Sequence, residues 1–303
     1  MPESIILLTR GSPLALKQAE LSARVLRDAS GARVSIRTLT TTGDHQQAWS
    51  LEKAGGAGLF TSELENALRS GMGDIAVHSA KDLPSATAPG LTLAGCLSRA
   101  NPADVFVRRE EAGVFTAGGE SAVIATGSPR RRAQARLRFP KARFTQLRGN
   151  VETRLRKVAA GEASATFLAA AGLERLGIGE WPGLVFEPWS LTDMVPAAGQ
   201  GAIAWEVRDG DVQKFASFCD PETSHAVAVE RAFLARLGAG CHSAFACHLR
   251  DEQLFLFHES LGYHTFAFPA LSPLPLTSRV DAILARMGGV NIPCNPPHPP
   301  PET

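Results

Sequence analysis

The sequence predicts an α/β protein with three domains, the last of which is a small α+β domain. The chain has 303 residues, about twice the length of an average domain. Short apolar runs alternate with amphipathic helical segments, and this pattern starts again in the middle of the chain, as expected for sheets covered by helices. The expected divisions are domain 1 at 1–97 plus 194–217, domain 2 at 98–193, domain 3 at 218–290 and a disordered, proline-rich tail at 291–303.

The first segment predicts alternating strands and helices. Ser12-Pro13 is a favourable helix start, and Leu14, Leu21 and Val25 follow at helical spacing. Ser62 and Glu65 have the spacing of a capping box at the start of another helix. The expected strands are 5–8, 34–41 and 74–77.

The middle of the chain repeats this alternation. Gly127-Ser128-Pro129 predicts a turn into a helix, because proline fits the first turn of a helix. An apolar strand at 202–207 is expected to return the chain to the first sheet. The other expected elements are strands at 122–126 and 165–169 and helices at 130–137, 151–160 and 172–176.

From Pro221 the pattern changes to that of a small α+β domain. Thr223 or Ser224 is expected to cap a long helix with Val229 and Phe233 on one face. The elements expected after it are strands at 243–248, 253–257 and 264–268 and a helix at 277–287.

Composition excludes several classes of protein. Hydrophobic residues make up 44% of the chain, which excludes global disorder, and a net charge of +1 disfavours nucleic acid or an acidic membrane as a partner. We expect a cytoplasmic protein, because we find neither a signal-peptide core nor a membrane span. Five scattered cysteines predict reduced thiols. The pairs Cys241-His242 and Cys247-His248 match no standard zinc spacing, so no metal is expected.

Positive charge is concentrated in one segment. Residues 121–160 hold nine arginines and two lysines against one acid, Glu152. Arg130, Arg131 and Arg132 fall at a predicted helix N-terminus, where backbone N–H groups already favour an anion, and Arg148 and Arg154 flank the start of the next helix. A solvated basic face is the simplest interpretation. Few aromatic residues lie nearby, which disfavours nucleic acid, whereas a small polycarboxylate suits clustered guanidinium groups.

Asp82 and Cys241 are the residues best suited to chemistry. Asp82 follows a buried strand, where open α/β sheets bind ligands. Asp82 is either one member of a surface ion pair with Lys81 or a catalytic group that transfers a proton and stabilises a cation. Cys241 follows Gly238-Ala239-Gly240 and is either a small residue in a tight turn or a nucleophile and attachment point.

Ordered motifs from about Leu7 to about Cys241 resemble the porphobilinogen deaminase, or hydroxymethylbilane synthase, family. The motifs are Thr9-Arg10-Gly11-Ser12 with Gln18, Gly55-Gly56-Ala57-Gly58-Leu59-Phe60, His78-Ser79-Ala80-Lys81-Asp82, Thr126-Gly127-Ser128-Pro129-Arg130-Arg131, Arg148-Gly149-Asn150 with Arg154, Gly172 with Arg175, Gly199-Gln200-Gly201, and Glu230-Arg231 ahead of Gly240-Cys241.

The resemblance implies a reaction and a fold. In the family, a dipyrromethane cofactor is bound by a thioether to the cysteine that matches Cys241. Four porphobilinogen molecules are joined to it head to tail with release of ammonia, and water then releases hydroxymethylbilane. The first two domains are similar to type II periplasmic binding proteins, with the site in the cleft between them. A monomer is expected.

The resemblance also implies roles for individual residues. Asp82 matches the catalytic carboxylate. The residues that match cofactor-binding positions are Cys241, Lys81, Asp82, Thr126, Ser128, Arg130 and Arg131. Those that match substrate-binding positions are Arg10, Ser12, Gln18, Phe60, Arg148, Arg154, Arg175 and Gln200.

The sequence departs from the family pattern at three places. Ala57 replaces a frequent lysine, His242-Ser243-Ala244 replaces the usual residues after the cysteine, and the pattern is lost beyond about Leu261. Because the first two domains share their fold with solute-binding proteins, a non-catalytic clamshell that binds a polycarboxylate is the alternative function.

Overall fold

A computed structural model describes residues 3–39, 61–112, 122–237 and 244–288. The strands are β1 (Ser4–Arg10), β2 (Arg33–Leu39), β3 (Ile75–Ser79), β4 (Leu91–Cys96), β5 (Asp104–Arg109), β6 (Val123–Ala125), β7 (Arg143–Thr145), β8 (Ala165–Ala169), β9 (Leu184–Pro188), β10 (Ile203–Arg208), β11 (Phe245–Arg250), β12 (Gln253–His258) and β13 (Gly262–Ala267). The helices are α1 (Pro13–Ser30), α2 (Ser62–Arg69), α3 (Pro129–Arg138), α4 (Val151–Ala159), α5 (Ala170–Leu176), α6 (Val212–Phe215), α7 (Pro221–Arg236) and α8 (Leu276–Arg286).

Two five-stranded sheets have equivalent topologies. The first has the order β2-β1-β3-β10-β4 and the second the order β7-β6-β8-β5-β9. In each sheet the first three strands are parallel, and the fourth is antiparallel to both of its neighbours. The chain crosses between the sheets twice, after β4 and before β10. These two crossings, residues 97–103 and 189–202, are called the outward and the return connection below.

The core of the first sheet explains why α1 lies against it. Ala23 and Leu26 of α1 pack with Ile5, Ile75 and Trp205 in one buried apolar cluster. The indole of Trp205 donates a hydrogen bond to Ser22 Oγ at 2.9 Å, so its one polar atom is satisfied inside the core.

The third sheet, β11-β12-β13, is antiparallel and packs on α7 and α8. Phe233 of α7, Leu254 of β12 and Ile283 of α8 meet in its core. The mixed α/β fold class, with a smaller α+β unit at the end, is therefore confirmed. The residue boundaries of the three domains stay a prediction.

Two predicted helix caps are wrong. Thr61 precedes α2 without a side-chain cap, and Ser62 donates to Glu63 instead of forming a capping box with Glu65. Asp220 caps α7 by accepting from Thr223 N at 2.7 Å. The hydroxyls of Thr223 and Ser224 are used elsewhere: they accept hydrogen bonds from the backbone N–H groups of Arg99 and Cys96.

No helix in the described ranges is long and apolar enough to cross a membrane. The predictions for Phe60, Cys241 and the tail at 291–303 concern residues outside the described ranges.

The two connections touch at Gly201. Its φ of +87° is in the left-handed region, and an added Cβ would collide with the carbonyl oxygen of Ala100. We therefore expect Gly201→Ala to lower the free energy of unfolding by at least about 2 kcal/mol, as measured by urea denaturation. Gly210→Ala is the matched control, because no atom lies within 4 Å of its added Cβ. Equal stability of the two variants would contradict this account.

Candidate active site

The carboxyl ends of the parallel strands hold most of the predicted site residues. In the first sheet, β1 ends at Arg10 and leads into Ser12, the N-cap of α1. β3 leads directly into a 3-10 turn, Ala80–Asp82, that carries Lys81 and Asp82. Loops at this edge are where open α/β sheets bind ligands.

The second sheet presents two helix N-termini at the equivalent edge. Ser128 caps α3, which begins with Pro129, Arg130 and Arg131, and Asn150 caps α4. The cap of α4 is a 2.8 Å hydrogen bond from Thr153 N to Asn150 Oδ1. Arg154 therefore lies in the second turn of α4, as the sequence predicts.

Asp82 lies within electrostatic reach of groups from both sheets. Burial lowers the pKa values of Arg131, Arg154 and Lys81. The negative charge of Asp82 acts in the opposite direction on all three, because it stabilises their charged forms. Asp82 itself is exposed. The structure thus brings the predicted catalytic carboxylate close to the start of α3 and to α4.

A second carboxylate, Asp104, lies beneath the arginines. It is 0% exposed, and its two oxygens lie 2.7 Å from Arg130 Nη1 and 2.7 Å from Arg131 Nη2. Burial alone would raise the pKa of Asp104, but the two guanidinium groups outweigh that effect and hold the pKa well below its usual range. Asp104 therefore supplies part of the negative charge that is needed to balance the clustered arginines.

The two arginines also bind main-chain oxygens. Arg130 Nη1 donates to Val195 O at 2.8 Å, and Arg131 Nη1 donates to Phe167 O at 2.7 Å. These bonds fix both side chains. Such fixed cations can bind an anion with little loss of side-chain entropy.

Lys81 lies in the same electrostatic environment. Burial and the nearby Arg131 lower the pKa of its ammonium group to about 8, against the opposing effects of Asp82 and Asp104. Its Nζ lies 3.4 Å from Gln200 Oε1. A cation with a lowered pKa is short of negative partners, so Lys81 would gain from a bound carboxylate.

Arg154 and Arg175 also have lowered pKa values. Burial, followed by the repulsion of Arg131, lowers the pKa of Arg154 to about 10, and its Nε donates to Gly149 O at 2.7 Å. Burial lowers the pKa of Arg175, whose Nη2 donates to Gly201 O of the return connection at 2.6 Å.

The charges of this cluster fit a polyanionic ligand. Lys81, Arg130, Arg131 and Arg154 supply four positive charges, and Asp82 and Asp104 supply two negative charges. The surplus of positive charge is partly removed from water, which is costly unless an anion compensates for it. The donor set therefore fits the carboxylate side chains of a dipyrromethane.

Several other predicted binding residues have structural partners. Gln18 is buried and shares two hydrogen bonds with Ser79. Ser12 Oγ accepts a hydrogen bond from Ala15 N and caps α1. Ser128 Oγ accepts one from Arg131 N and caps α3. Buried Thr126 accepts from Ser128 N at 3.2 Å. Arg10 and Arg148 are half-buried. The binding roles of all these residues stay predictions.

Sequence reasoning missed two groups that organise the site. Asp104 begins a strand that the periodicity did not predict, and only its position among apolar residues could have signalled a buried acid. Arg99 forms a bidentate ion pair with Glu230 of α7, at 2.7 and 2.8 Å, and Glu230 is 0% exposed. In the sequence Glu230 stands out only as part of a family motif.

The described cysteines are poor nucleophiles. Burial raises the pKa of Cys96 and of Cys219 to about 12 and raises that of Cys247 well above its usual value. His78 is buried, and its Nε2 lies 3.1 Å from Glu206 Oε2, so the imidazole has a structural partner within the first sheet. Within the described part of the chain, no cluster of His, Cys, Asp and Glu could hold a metal ion.

Comparisons with known proteins identify one family. A family model described as porphobilinogen deaminase, dipyromethane cofactor binding domain, matches residues 5–215. Porphobilinogen deaminase of Roseiflexus castenholzii is 44% identical over 265 residues, which cover 85% of this chain and 86% of that protein. Porphobilinogen deaminase of Leifsonia xyli subsp. xyli is 43% identical over 84% of this chain and 78% of that protein.

Solved structures show a more distant likeness. The periplasmic aliphatic sulphonate binding protein SsuA from Escherichia coli is 16% identical, with a TM-score of 0.44, over 78% of this chain and 70% of that one. The BvgS VFT2 domain of Bordetella pertussis is 18% identical, with a TM-score of 0.42, over 71% of this chain and 83% of that one. The family model and the relatives, which cover most of the sequence, show that the chain belongs to the porphobilinogen deaminase family.

Proposed function

We propose that the chain is a hydroxymethylbilane synthase, which condenses four porphobilinogen molecules head to tail, releases ammonia and then releases hydroxymethylbilane by hydrolysis. Family membership supports this reaction. The observation that carries the proposal is the position of Asp82, an exposed carboxylate in electrostatic contact with Lys81, Arg131 and Arg154.

The cations bind and orient substrate. Porphobilinogen carries an acetate and a propionate, so the growing chain is a polycarboxylate. Arg131 comes from the first turn of α3, Arg154 from the second turn of α4, and Lys81 from the turn that follows β3 of the first sheet. Cations from two sheets can fix a ligand at several points. Arg10, Arg148 and Arg175 are proposed to extend this set.

Asp82 performs the charge chemistry. A departing amine needs a proton, and loss of ammonia leaves positive charge on the pyrrole of the substrate. A protonated carboxyl group close to the ring nitrogens can donate that proton, and the carboxylate that this leaves can then stabilise the charge. Asp104 is unsuited to this task, because Arg130 and Arg131 already occupy both of its oxygens.

The dipyrromethane cofactor, when bound, supplies the pyrrole carbon at which the first substrate is joined. We propose that Cys241 holds it by a thioether and that Lys81, Arg130 and Arg131, with Thr126 and Ser128, hold its carboxylates. A carbon–sulfur bond suits this task because the link must persist through every cycle. We further propose that the enzyme is a cytoplasmic monomer with porphobilinogen as its small-molecule partner.

Mass spectrometry of the denatured protein tests the function. We expect extra mass equal to two linked pyrrole units and a pink colour with Ehrlich's reagent. Cys241→Ser should lose both signals, because serine cannot form the thioether. Cys219→Ser is the matched control and should keep them, since the Cys219 thiol has a raised pKa and no attachment role. A wild-type protein with only the mass of its sequence would contradict the proposal and favour a solute-binding clamshell.

A further inference from the structure

Gln200 lies where the return connection meets the turn that carries Lys81. The residue before it, Gly199, has a φ of +73°, and an added Cβ there would lie 2.9 Å from Ala80 and 3.0 Å from Lys81 N. Gly199 N also donates to Glu230 Oε2 at 2.6 Å. The backbone on the N-terminal side of Gln200 is therefore packed tightly against this turn and tied to α7.

The side chain of Gln200 is 0% exposed and both ends of its amide have partners. Its Nε2 donates to Pro102 O of the outward connection at 2.7 Å, and its Oε1 lies 3.4 Å from Lys81 Nζ. The main-chain oxygen of Gln200 accepts from Arg99 Nε at 2.9 Å. A ligand would have to displace these contacts before it could reach the amide.

We propose that Gln200 is a positioning residue for the Lys81 ammonium group and does not contact substrate. Its amide is fixed at one end by the outward connection, and its other end presents an oxygen to Lys81. The two connections between the sheets thereby determine where that cation is held. The inference rests on the proposed function only in treating Lys81 as a ligand-binding cation.

Charged groups of the protein act on Lys81, and in the holoenzyme the cofactor carboxylates act on it equally in every variant. Asp82 and Asp104 favour its charged form, Arg131 and Arg130 oppose it, and burial lowers its pKa. An amide oxygen favours the ammonium form weakly and a carboxylate favours it strongly. Gln200→Glu should therefore raise the pKa of Lys81, and Gln200→Met, which removes the oxygen, should lower it.

Trace acetylation with acetic anhydride across a pH series, followed by peptide mass spectrometry, measures this pKa in the purified holoenzyme. The chain has only six lysines, so each can be followed separately. We expect the pKa of Lys81 to rise by about one unit in Gln200→Glu and to fall by roughly half a unit or more in Gln200→Met. The profiles of the other five lysines report whether each variant is folded.

Gln134→Met is the matched control for Gln200→Met, because it removes a buried amide without adding a charge beside Arg130, which also donates to Val195 O. Gln134 is also a buried glutamine with both amide ends used, but its partner is Val195 and not Lys81. Its substitution should leave the pKa of Lys81 within about 0.3 unit of the wild-type value. An unchanged Lys81 pKa in both Gln200 variants, with KM raised at constant kcat, would overturn the inference and assign Gln200 to substrate binding. Missing cofactor mass would count against the proposed function alone.

Discussion

Glu230→Gln is expected to lower the free energy of unfolding by about 3–5 kcal/mol, because it leaves the Arg99 guanidinium buried without a counter-ion. Glu230 accepts from Arg99, Gly199 N and Leu249 N, so one carboxylate joins α7, both connections and β11. Glutamine keeps the shape, but its NH2 group would face a donor. Urea denaturation measures the loss.

The control is Glu222→Gln, which removes an exposed carboxylate from the first turn of the same helix. Its effect should stay within about 0.5 kcal/mol. A comparable loss of unfolding free energy in the two variants would show that the buried ion pair contributes no more to stability than an exposed carboxylate does.

The pH dependence of stability gives a second readout for Glu230. Burial alone would raise its pKa, but Arg99 and His248 outweigh burial and lower the pKa to about 2, against 4.5 in an ordinary glutamate. Because the folded pKa is the lower one, the stabilisation is present above pH 4.5 and is lost as the pH falls toward 2. The Gln variant should lack this part of the acid dependence.

The sequence predicted those elements whose apolar residues follow a regular period. β8 has the expected bounds, and α3 and α4 differ by one residue at their ends. The strands β4, β5, β7 and β9 were not predicted. β7 has only three residues, Arg143–Thr145. β5 has an apolar run of only three residues, 105–107, between a buried acid and two arginines, which is too short to predict a strand.

Some residues of the candidate site could be predicted from the sequence, and others could not. Asp82 could be found because it follows a buried strand, and the basic cluster could be found by counting charge. Two buried ion pairs that organise the site could not be predicted, because Asp104 precedes Arg130 by 26 residues and Arg99 precedes Glu230 by 131. Pairing over such distances depends on how strands cross between sheets, which periodicity does not report.

Asp104 changes the interpretation of the basic cluster. Counted along the chain, Arg130 and Arg131 are two uncompensated cations at a helix N-terminus. In the structure one buried carboxylate holds both and compensates one of their two charges, and Lys81 and Arg154 add two further cations to the cluster. Fixed arginines beside cations with lowered pKa values give a ligand site that is both rigid and short of anions.

Asp82→Asn is expected to lower kcat by at least about 100-fold while the cofactor mass is retained. Asparagine matches the shape of aspartate but carries no charge, so it can neither donate a carboxyl proton nor stabilise positive charge on the pyrrole. Arg131 and Arg154 keep their other contacts with Phe167 O and Gly149 O, so binding of carboxylates should persist. Steady-state kinetics together with the denatured mass measures both effects.

Asp82→Glu provides the control for charge. It keeps the carboxylate and moves it by one methylene, so we expect its kcat to lie between those of the wild type and the Asn variant. If stabilisation of positive charge is the function of Asp82, activity must follow the charge of the side chain more closely than its shape. An Asn variant within tenfold of wild-type kcat would show instead that the surrounding cations and the bound cofactor are sufficient for the reaction.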